Sequence, residues 1–482
     1  MTLNPLDPTA DEDQQCKGEQ QQIDTRLIEQ TIDILNQIAL EQIDSSQLTS
    51  EQSEQLQRAC ARISKSARKN RRRENGQARK AADRAAVRET SQVQSRLDQN
   101  LSRTEELNAP TAPVGRNLKH KSRHCYICRA DYRILDKHYH WLCPDCAVFN
   151  RSKRNQTRSL AGQTALVTGG RIKIGFQTAV KLLRAGARVI VTSRFPGDAL
   201  IRFSSLDDFD LWKDRLTLYG LDFRVIQHVL EFAEIIRQKS GRLEILINNA
   251  AQSVKRPRDY YREIQERESR FQHLLETHTR LIGWQAPTPH QRFESGQEST
   301  STPPVSLSEV TKQLNLPTDS FAQDFRQENS WTQKLGEIDP VESVETFLVN
   351  SHAPFLLTAG LKPIMENSEE EKKYVVNVTG ADGVFERGKS TRHAHVNMSK
   401  AALNMMTRTS APEYCQSGIY MNSVDTGWIT LEGSADYRES KARQNQLPPL
   451  DEIDGAARIL DPVFTESTQF GQIFRNYRSS SW

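Results

Sequence analysis

The sequence has no long apolar run. Nowhere in its 482 residues do 18 apolar residues stand together, so no membrane-spanning helix and no membrane partner are expected. The opening stretch, Met1 to Gln22, is acidic and glutamine-rich. It lacks the basic start and apolar core of a secretory signal, so a cytoplasmic location is expected. Hydrophobic residues make up only 36% of the chain and aromatics 7%. A chain this polar is expected to leave part of itself unpacked. Cysteine is sparse as well. Seven cysteines in a reducing compartment read as thiols or metal ligands rather than as a disulfide framework. A dominant charge is also missing: 65 basic against 61 acidic side chains leave +4, which by itself demands no polyanionic partner. The distribution is uneven, however. Residues 1–60 carry 12 acidic and 3 basic side chains, whereas residues 61–80 carry 9 basic and 1 acidic.

Three regions follow from composition and periodicity. Residues 1–122 are polar and helical where ordered. Ile23, Leu27, Ile28, Ile32, Leu35 and Ile38 recur at helical spacing and predict an amphipathic helix over 23–41. A second helix is expected from Ser50 to about Arg103, charged nearly all round. Asn108 to Val114, with two prolines, reads as a linker. Residues 123–158 form a small Cys/His-rich module. From 159 to 482, apolar strand-like runs at 164–168, 188–192, 215–219, 243–248, 374–378 and 421–424 alternate with helical patterns such as 176–185 and 225–238. That alternation predicts an α/β domain, a doubly wound parallel sheet of Rossmann type. An insertion at about 253–340 interrupts it, and Ala286 to Pro304 has the composition of disorder. No internal repeat is visible.

The stretch Thr164-Ala-Leu-Val-Thr-Gly-Gly-Arg-Ile-Lys-Ile-Gly175 reads as strand, turn and helix start. Gly169 and Gly170 permit a tight turn, and Gly175 permits close helix–sheet packing. Such a turn offers backbone N–H groups and a helix dipole to a dinucleotide pyrophosphate. The second strand ends in Arg194. An acidic residue there would bond the 2′-OH of NAD, whereas arginine suits the 2′-phosphate of NADP, so NADP is expected over NAD. Arg171 is a second candidate phosphate partner. The alternative is that both arginines are merely solvated.

Cys125-Tyr-Ile-Cys128 and Cys143-Pro-Asp-Cys146 form two knuckles separated by 14 residues. Four thiolates so spaced suit one structural Zn²⁺ in a ribbon-like module, and a module this small needs metal to fold. Two redox dithiols are the alternative. With all four positions filled by sulfur, no open catalytic site remains, and His124, His138 and His140 are expected outside the ligand set. The basic run at 65–73, with Arg71, Arg72 and Arg73, has the composition of a nucleic-acid contact or a nuclear address, and equally of a solvated helix face.

Taken in order, these segments resemble the short-chain dehydrogenase/reductase family over about 159–252 and 341–482. Thr168-Gly169-x-x-x-Lys173-Ile174-Gly175 resembles its TGxxxGIG turn, with Lys173 for the middle glycine. Leu221-Asp222 falls where the family places an acid against adenine. Asn248-Asn249-Ala250-Ala251 resembles its NNAG motif, and Val349-Asn350 the helix bearing its catalytic asparagine. Ser399-Lys400-Ala401-Ala402-Leu403 is similar to the end of its YxxSK helix, and Thr426-Gly427-Trp428 to its PG stretch. The resemblance implies cofactor contacts from Thr168, Gly169, Gly170, Arg171, Ile174, Gly175, Arg194, Asp222, Asn248, Ala250, Lys400, Thr426 and Gly427. It also exposes a gap. Val396 stands at the position of the family's acid/base tyrosine, and Gly380 at or beside that of its serine. Asn350 and Lys400 remain, and Thr379 or a histidine, His395 or its neighbour His393, is the candidate substitute near a substrate carbonyl; the alternative is a strand-end threonine and surface-loop histidines.

Three functions compete on this reading. The first is an NADP-dependent oxidoreductase acting on a small carbonyl or alcohol through a divergent proton-transfer site. The second is an inactive dinucleotide sensor or scaffold. The third is a zinc-ribbon adaptor for nucleic acid or protein. The resemblance also implies homo-oligomers through the Lys400 helix.

Overall fold

The computed structural model describes residues 25–40, 48–99, 117–257, 259–262, 264–266, 268 and 326–482 except 387 and 445. The expected linker at 108–114 and the disorder-like stretch at 286–304 lie outside these residues. The chain divides into two compact units, Met1–Ala78 and Arg79–Trp482. No described helix is long and apolar enough to cross a membrane.

In the first unit, helix α1 spans Thr25–Ala39, and its apolar Leu27, Ile28 and Ile32 are exposed. Helix α2 runs from Ser50 to Gln99, across the division between the units. Its basic residues at 65–73 are exposed, as a helix charged all round requires.

The second unit is built on an eight-stranded sheet. Its strands are β3 (Thr164–Thr168), β4 (Arg188–Ser193), β5 (Leu216–Gly220), β6 (Ile245–Asn248), β7 (Lys373–Thr379), β8 (Ile419–Asp425), β9 (Ile473–Arg475) and β10 (Arg478–Ser480), in the order β10-β9-β8-β7-β6-β3-β4-β5. All pairings are parallel except β9–β10. β3 and β7 are buried at every position, as expected for strands covered on both faces. On one face, α4 (Lys173–Arg184), α5 (Pro196–Ser204) and α11 (Glu452–Phe464) pack Phe176, Leu183, Phe203 and Ile459 against Val167 and Val191. On the other, α6 (Ile226–Ser240), α8 (Ala353–Glu366) and α9 (Ala394–Cys415) pack Val229, Leu357 and Leu361 against Leu166 and Leu246. Strand order reverses between β3 and β6, so a crevice opens at the carboxyl ends of those two strands.

The Cys/His module contains the small hairpin β1 (Arg123–His124) and β2 (Asp131–Tyr132) and helix α3 (Pro144–Arg154). It is anchored to α11 through a buried polar network. Arg154 lies 2.5 Å from Asp451 and 3.1 Å from Asp454. The Tyr139 hydroxyl donates to Asp454 at 2.6 Å, and Arg458 donates to Asn150 at 2.7 Å. Asp451 and Asp454 also form the capping box that starts α11.

The described ends of the insertion meet at a neck. The Lys255 N–H donates to the Glu342 carboxylate at 2.6 Å, and Lys255 Nζ pairs with Glu345 at 2.9 Å. Arg326 donates to the Lys255 carbonyl at 3.0 Å. Glu342 and Glu345 lie on α7 (Pro340–Phe347), which leads into α8 through one π-helical turn, Leu348–His352.

Candidate active site

The crevice is a cleft of about 740 Å³ lined from both halves of the sheet. Its floor begins at the glycine turn. Gly169 has φ +66°, and a Cβ there would lie 2.9 Å from Ala250 Cα. A Cβ on Gly175 would collide with the Gly169 carbonyl and the Asn249 amide. Both glycines are therefore required by close approach. The N-cap residue of α4, Ile172, makes no side-chain cap, and the N-terminal turn of a helix suits an anion. Thr168 is fully buried and does not line the cleft. Its Oγ1 accepts the N–H groups of Asn249 and Ala250 at 2.9 and 3.0 Å, holding the two loops together. Lys173 adopts φ +54°, a strained position for a side chain, and pairs with Glu432 at 3.1 Å. Burial would raise the Glu432 carboxyl, but Lys173 and Thr430 bring it down to about 2.

Farther along, Arg194, Arg224, Arg256, Tyr260 and Tyr261 line the cleft. Arg194 donates to the Tyr261 hydroxyl at 3.2 Å and stacks on its ring at 4.9 Å. No carboxylate among the described residues lies within ion-pair distance of it. Arg171 differs: it pairs with fully buried Asp198 at 2.7 Å. Asp222 is held by Arg224, with two hydrogen bonds to Nε and one at 2.6 Å to Nη2. Burial acts to raise the Asp222 carboxyl, and Arg224 outweighs it and lowers it.

Toward β7 and β8 the lining includes Thr379, Gly380, Asp382, Lys400, Asp425, Thr426 and Gly427. Lys400 Nζ donates to the Val378 carbonyl at 2.8 Å. Burial pushes its ammonium down to about 8, against the opposing pull of Asp382. Thr379 is buried, and its Oγ1 has no hydrogen-bond partner. Asn350, 1% exposed, does not reach the cleft. Its Oδ1 accepts from the Gln252 N–H at 2.7 Å, and its Nδ2 donates to the Gln252 carbonyl and to Ser399 Oγ, both at 3.0 Å. It braces the loop after β6 against α9.

The comparisons with known proteins bear on this geometry. Residues 163–277 match the family described as short chain dehydrogenase, and residues 326–454 match the one described as enoyl-(acyl carrier protein) reductase. The chain belongs to the short-chain dehydrogenase/reductase family. An uncharacterized protein of Acanthamoeba polyphaga mimivirus is 28% identical over 380 residues, covering 75% of this chain and 76% of that one. The (-)-isopiperitenone reductase of Mentha piperita is 38% identical over 90 residues, which cover 18% of this chain and 29% of that enzyme. The match thus spans less than a third of the named reductase. A crystallised short chain dehydrogenase of Burkholderia cenocepacia in complex with NADP is 18% identical, covering 66% of this chain and 97% of that one, with a TM-score of 0.44.

Within this short-chain dehydrogenase fold the expected site residues divide. Gly169, Arg171, Ile174, Gly175, Arg194, Asp222, Ala250, Thr379, Lys400, Thr426 and Gly427 come together on the cleft. Gly170 and Asn248 do not. Gly170 packs against Val191, and Asn248 bonds to Thr358 and Asn377 inside the fold. His395 also departs from expectation. It is buried, with neither ring nitrogen hydrogen-bonded, and lines a separate hollow with Val344, Phe347 and Met398. The reason is helical phase. Five residues separate it from Lys400, a rotation of roughly 140° on a 3.6-residue helix. Val396 is 2% exposed and lies outside the cleft lining. Sequence reasoning missed Trp331, which stacks on His393 at 4.3 Å and lines the cleft from the insertion's C-terminal end. It also missed Tyr437 and Lys441, which line the cleft from α10 (Ala435–Arg443). Their spacing, a phenol four residues before a lysine on a helix, was readable.

The four module cysteines also converge. Their sulfurs lie within 4.8 Å of one another, with Cys128 and Cys143 at 3.6 Å. A tetrahedron with bonds of ~2.3 Å has edges of about 3.8 Å, so the cluster fits one zinc ion. Arg129, in the first knuckle, has φ +65° and donates its N–H to the Cys125 carbonyl at 3.1 Å. Cys143 occupies the N-cap position of α3, and Cys146 lies in its first turn. A second cluster, His138 with Asp451 and Asp454, already contains the Arg154 guanidinium, which supplies the positive charge.

Proposed function

We propose that the protein is an NADP(H)-dependent oxidoreductase acting on a small carbonyl or alcohol, with a proton-transfer site that departs from its family's. One observation carries the reading: a single cleft joins an uncapped glycine turn and Arg194 to Lys400 and the orphaned hydroxyl of Thr379. The fit to a dinucleotide rests on the close approach at Gly169 and on the helix N-terminus that no side chain of its N-cap residue covers. When bound, the cofactor supplies or accepts the hydride. Arg194, which has no carboxylate partner among the described residues, takes the 2′-phosphate. Arg171, held by Asp198, which it shares with Arg202, contributes less. Lys400 holds the ribose, and Asn350 keeps the loop after β6 against α9. Thr379 Oγ1 donates to the substrate carbonyl oxygen. Zinc, held by Cys125, Cys128, Cys143 and Cys146, is structural. The exposed Phe347, Phe355 and Met398 support self-association through α7 to α9.

The experiment is titration with NADPH and NADH, followed by a carbonyl and alcohol panel. Tighter NADPH binding together with turnover supports the proposal, and absence of binding refutes it. A second reading, a dinucleotide sensor, is favoured by Val396, whose side chain has no ionisable proton to transfer. Micromolar NADPH binding without turnover across the panel would establish it.

A further inference from the structure

Tyr126 lies between two of the four clustered cysteines, Cys125 and Cys128, and it also lines the dinucleotide cleft. Its backbone is fixed within the module, where the Tyr126 N–H donates to the Trp141 carbonyl at 2.8 Å. Its hydroxyl leaves the module and accepts the Trp428 N–H at 3.0 Å. That segment is the turn after β8, where Gly427 has φ +83° and a Cβ added to it would lie 3.5 Å from the same hydroxyl. The neighbouring Ile429 packs in one buried cluster with Cys125, Cys143 and Leu450, and Ile174 of the phosphate-binding turn packs against that cluster. The knuckle therefore touches both walls of the cleft.

We propose that the four-cysteine module is a wall of the dinucleotide site and that Tyr126 is a positioning residue, so that metal loading and dinucleotide affinity are coupled. The inference rests on the dinucleotide reading above and deepens it. Metal fixes the loop 125–128 against the loop 143–146, and without it the sulfurs provide no cross-link between the two. The loop so fixed sets the height of the Tyr126 hydroxyl. That hydroxyl holds the Trp428 N–H and hence the turn 426–430. If the dinucleotide binds the ordered turn, metal must favour the dinucleotide, and the dinucleotide must favour metal by the same factor. Cys128 is exposed, so a chelator or thiol reagent reaches the metal from solution without unfolding the sheet.

Three measurements on the full chain test this. NADPH is titrated into wild type, into Tyr126→Phe, and into wild type stripped of zinc. Tyr126→Phe keeps the ring and removes only the hydroxyl, so zinc content and melting temperature are expected to stay at wild-type values. NADPH binding is expected to weaken about 3- to 10-fold, the range for one lost hydrogen bond. Zinc removal is expected to weaken it by 5-fold or more, and by a smaller factor in Tyr126→Phe than in wild type. Reciprocally, NADPH should raise zinc affinity by the factor by which zinc raises NADPH affinity. Hydrogen exchange without nucleotide supplies an independent readout: Trp428 and the 426–430 amides should exchange faster after either change. Unchanged NADPH affinity and unchanged exchange in Tyr126→Phe would overturn the coupling while leaving the oxidoreductase reading intact. Wild type that binds neither dinucleotide would overturn both.

Discussion

Replacing Arg154 by leucine probes how the module is held to the sheet domain. The guanidinium is 3% exposed and neutralises Asp451 and Asp454, themselves 2% and 0% exposed. Leucine removes the cation and leaves two carboxylates in an apolar setting. Breaking a buried pair from one side typically costs about 3–5 kcal/mol. For a domain of this size that is a fall in melting temperature on the order of 10 °C. The pH dependence makes the test sharper. In the wild type, burial would raise the Asp451 carboxyl, and Arg154 overcomes it, so the pKa lies far below the unfolded value. That contribution is fully present above pH ~4 and is lost only as pH falls below it. In Arg154→Leu that counterweight is gone, and burial shifts the Asp451 carboxyl upward from its wild-type position. The deficit of the variant should therefore be largest near neutral pH and shrink as pH falls toward the carboxylate range. Urea denaturation of both proteins at four pH values measures it. A deficit below about 1 kcal/mol, or one that does not change with pH, would refute the reasoning.

Four further outcomes are expected. Arg194→Asp should lose the preference for NADPH over NADH, and calorimetry showing equal affinities in the wild type would contradict the assigned role. Thr379→Val should lower turnover by about 10²-fold with NADPH affinity unchanged, whereas His395→Ala should leave turnover within a few-fold of wild type. The value of kcat/KM should fall as pH rises through about 8, where free Lys400 loses its proton, and a profile flat to pH 10 would argue against it. Elemental analysis should find one zinc per chain, lost in Cys143→Ser; full occupancy in Cys125→Ser/Cys143→Ser would move the ligands elsewhere.

Much of this fold is legible in the sequence because buried parallel strands are continuous apolar runs. Each of the six runs singled out by composition coincides with a strand to within a few residues. β9 and β10 were not legible. Each is three residues long, too short for a period, and β10 forms the sheet edge with β9 beside it. The helix α8 is anticipated only as the continuation of the Asn350 segment, because Pro354 and Pro363 obscure its period; Pro354 comes just after the π-helical turn. At the site, the glycine turn and Lys400 could be read because backbone chemistry dictates them. Asn248 could not be separated from Asn249, since adjacent residues at a strand end face opposite ways. Trp331 and Tyr126 come from segments far from the cleft in sequence, and nothing local marks a side chain that reaches across.

The neck of the insertion carries a consequence for how this chain can vary. Lys255, Arg326, Glu342 and Glu345 close the excursion on itself before it rejoins the sheet. The flanking strands β6 and β7 are direct neighbours, so the register between them does not pass through the excursion at all. Chain inside such a closed loop adds only about 0.6 kcal/mol of closure entropy for each doubling of its length. Residues can therefore be gained or deleted between 269 and 325 with little tax on the sheet, while the four side chains at the neck are not free to change. The place to look for divergence among related chains is within the loop, and the place to look for constancy is the ring of charges that ties it off.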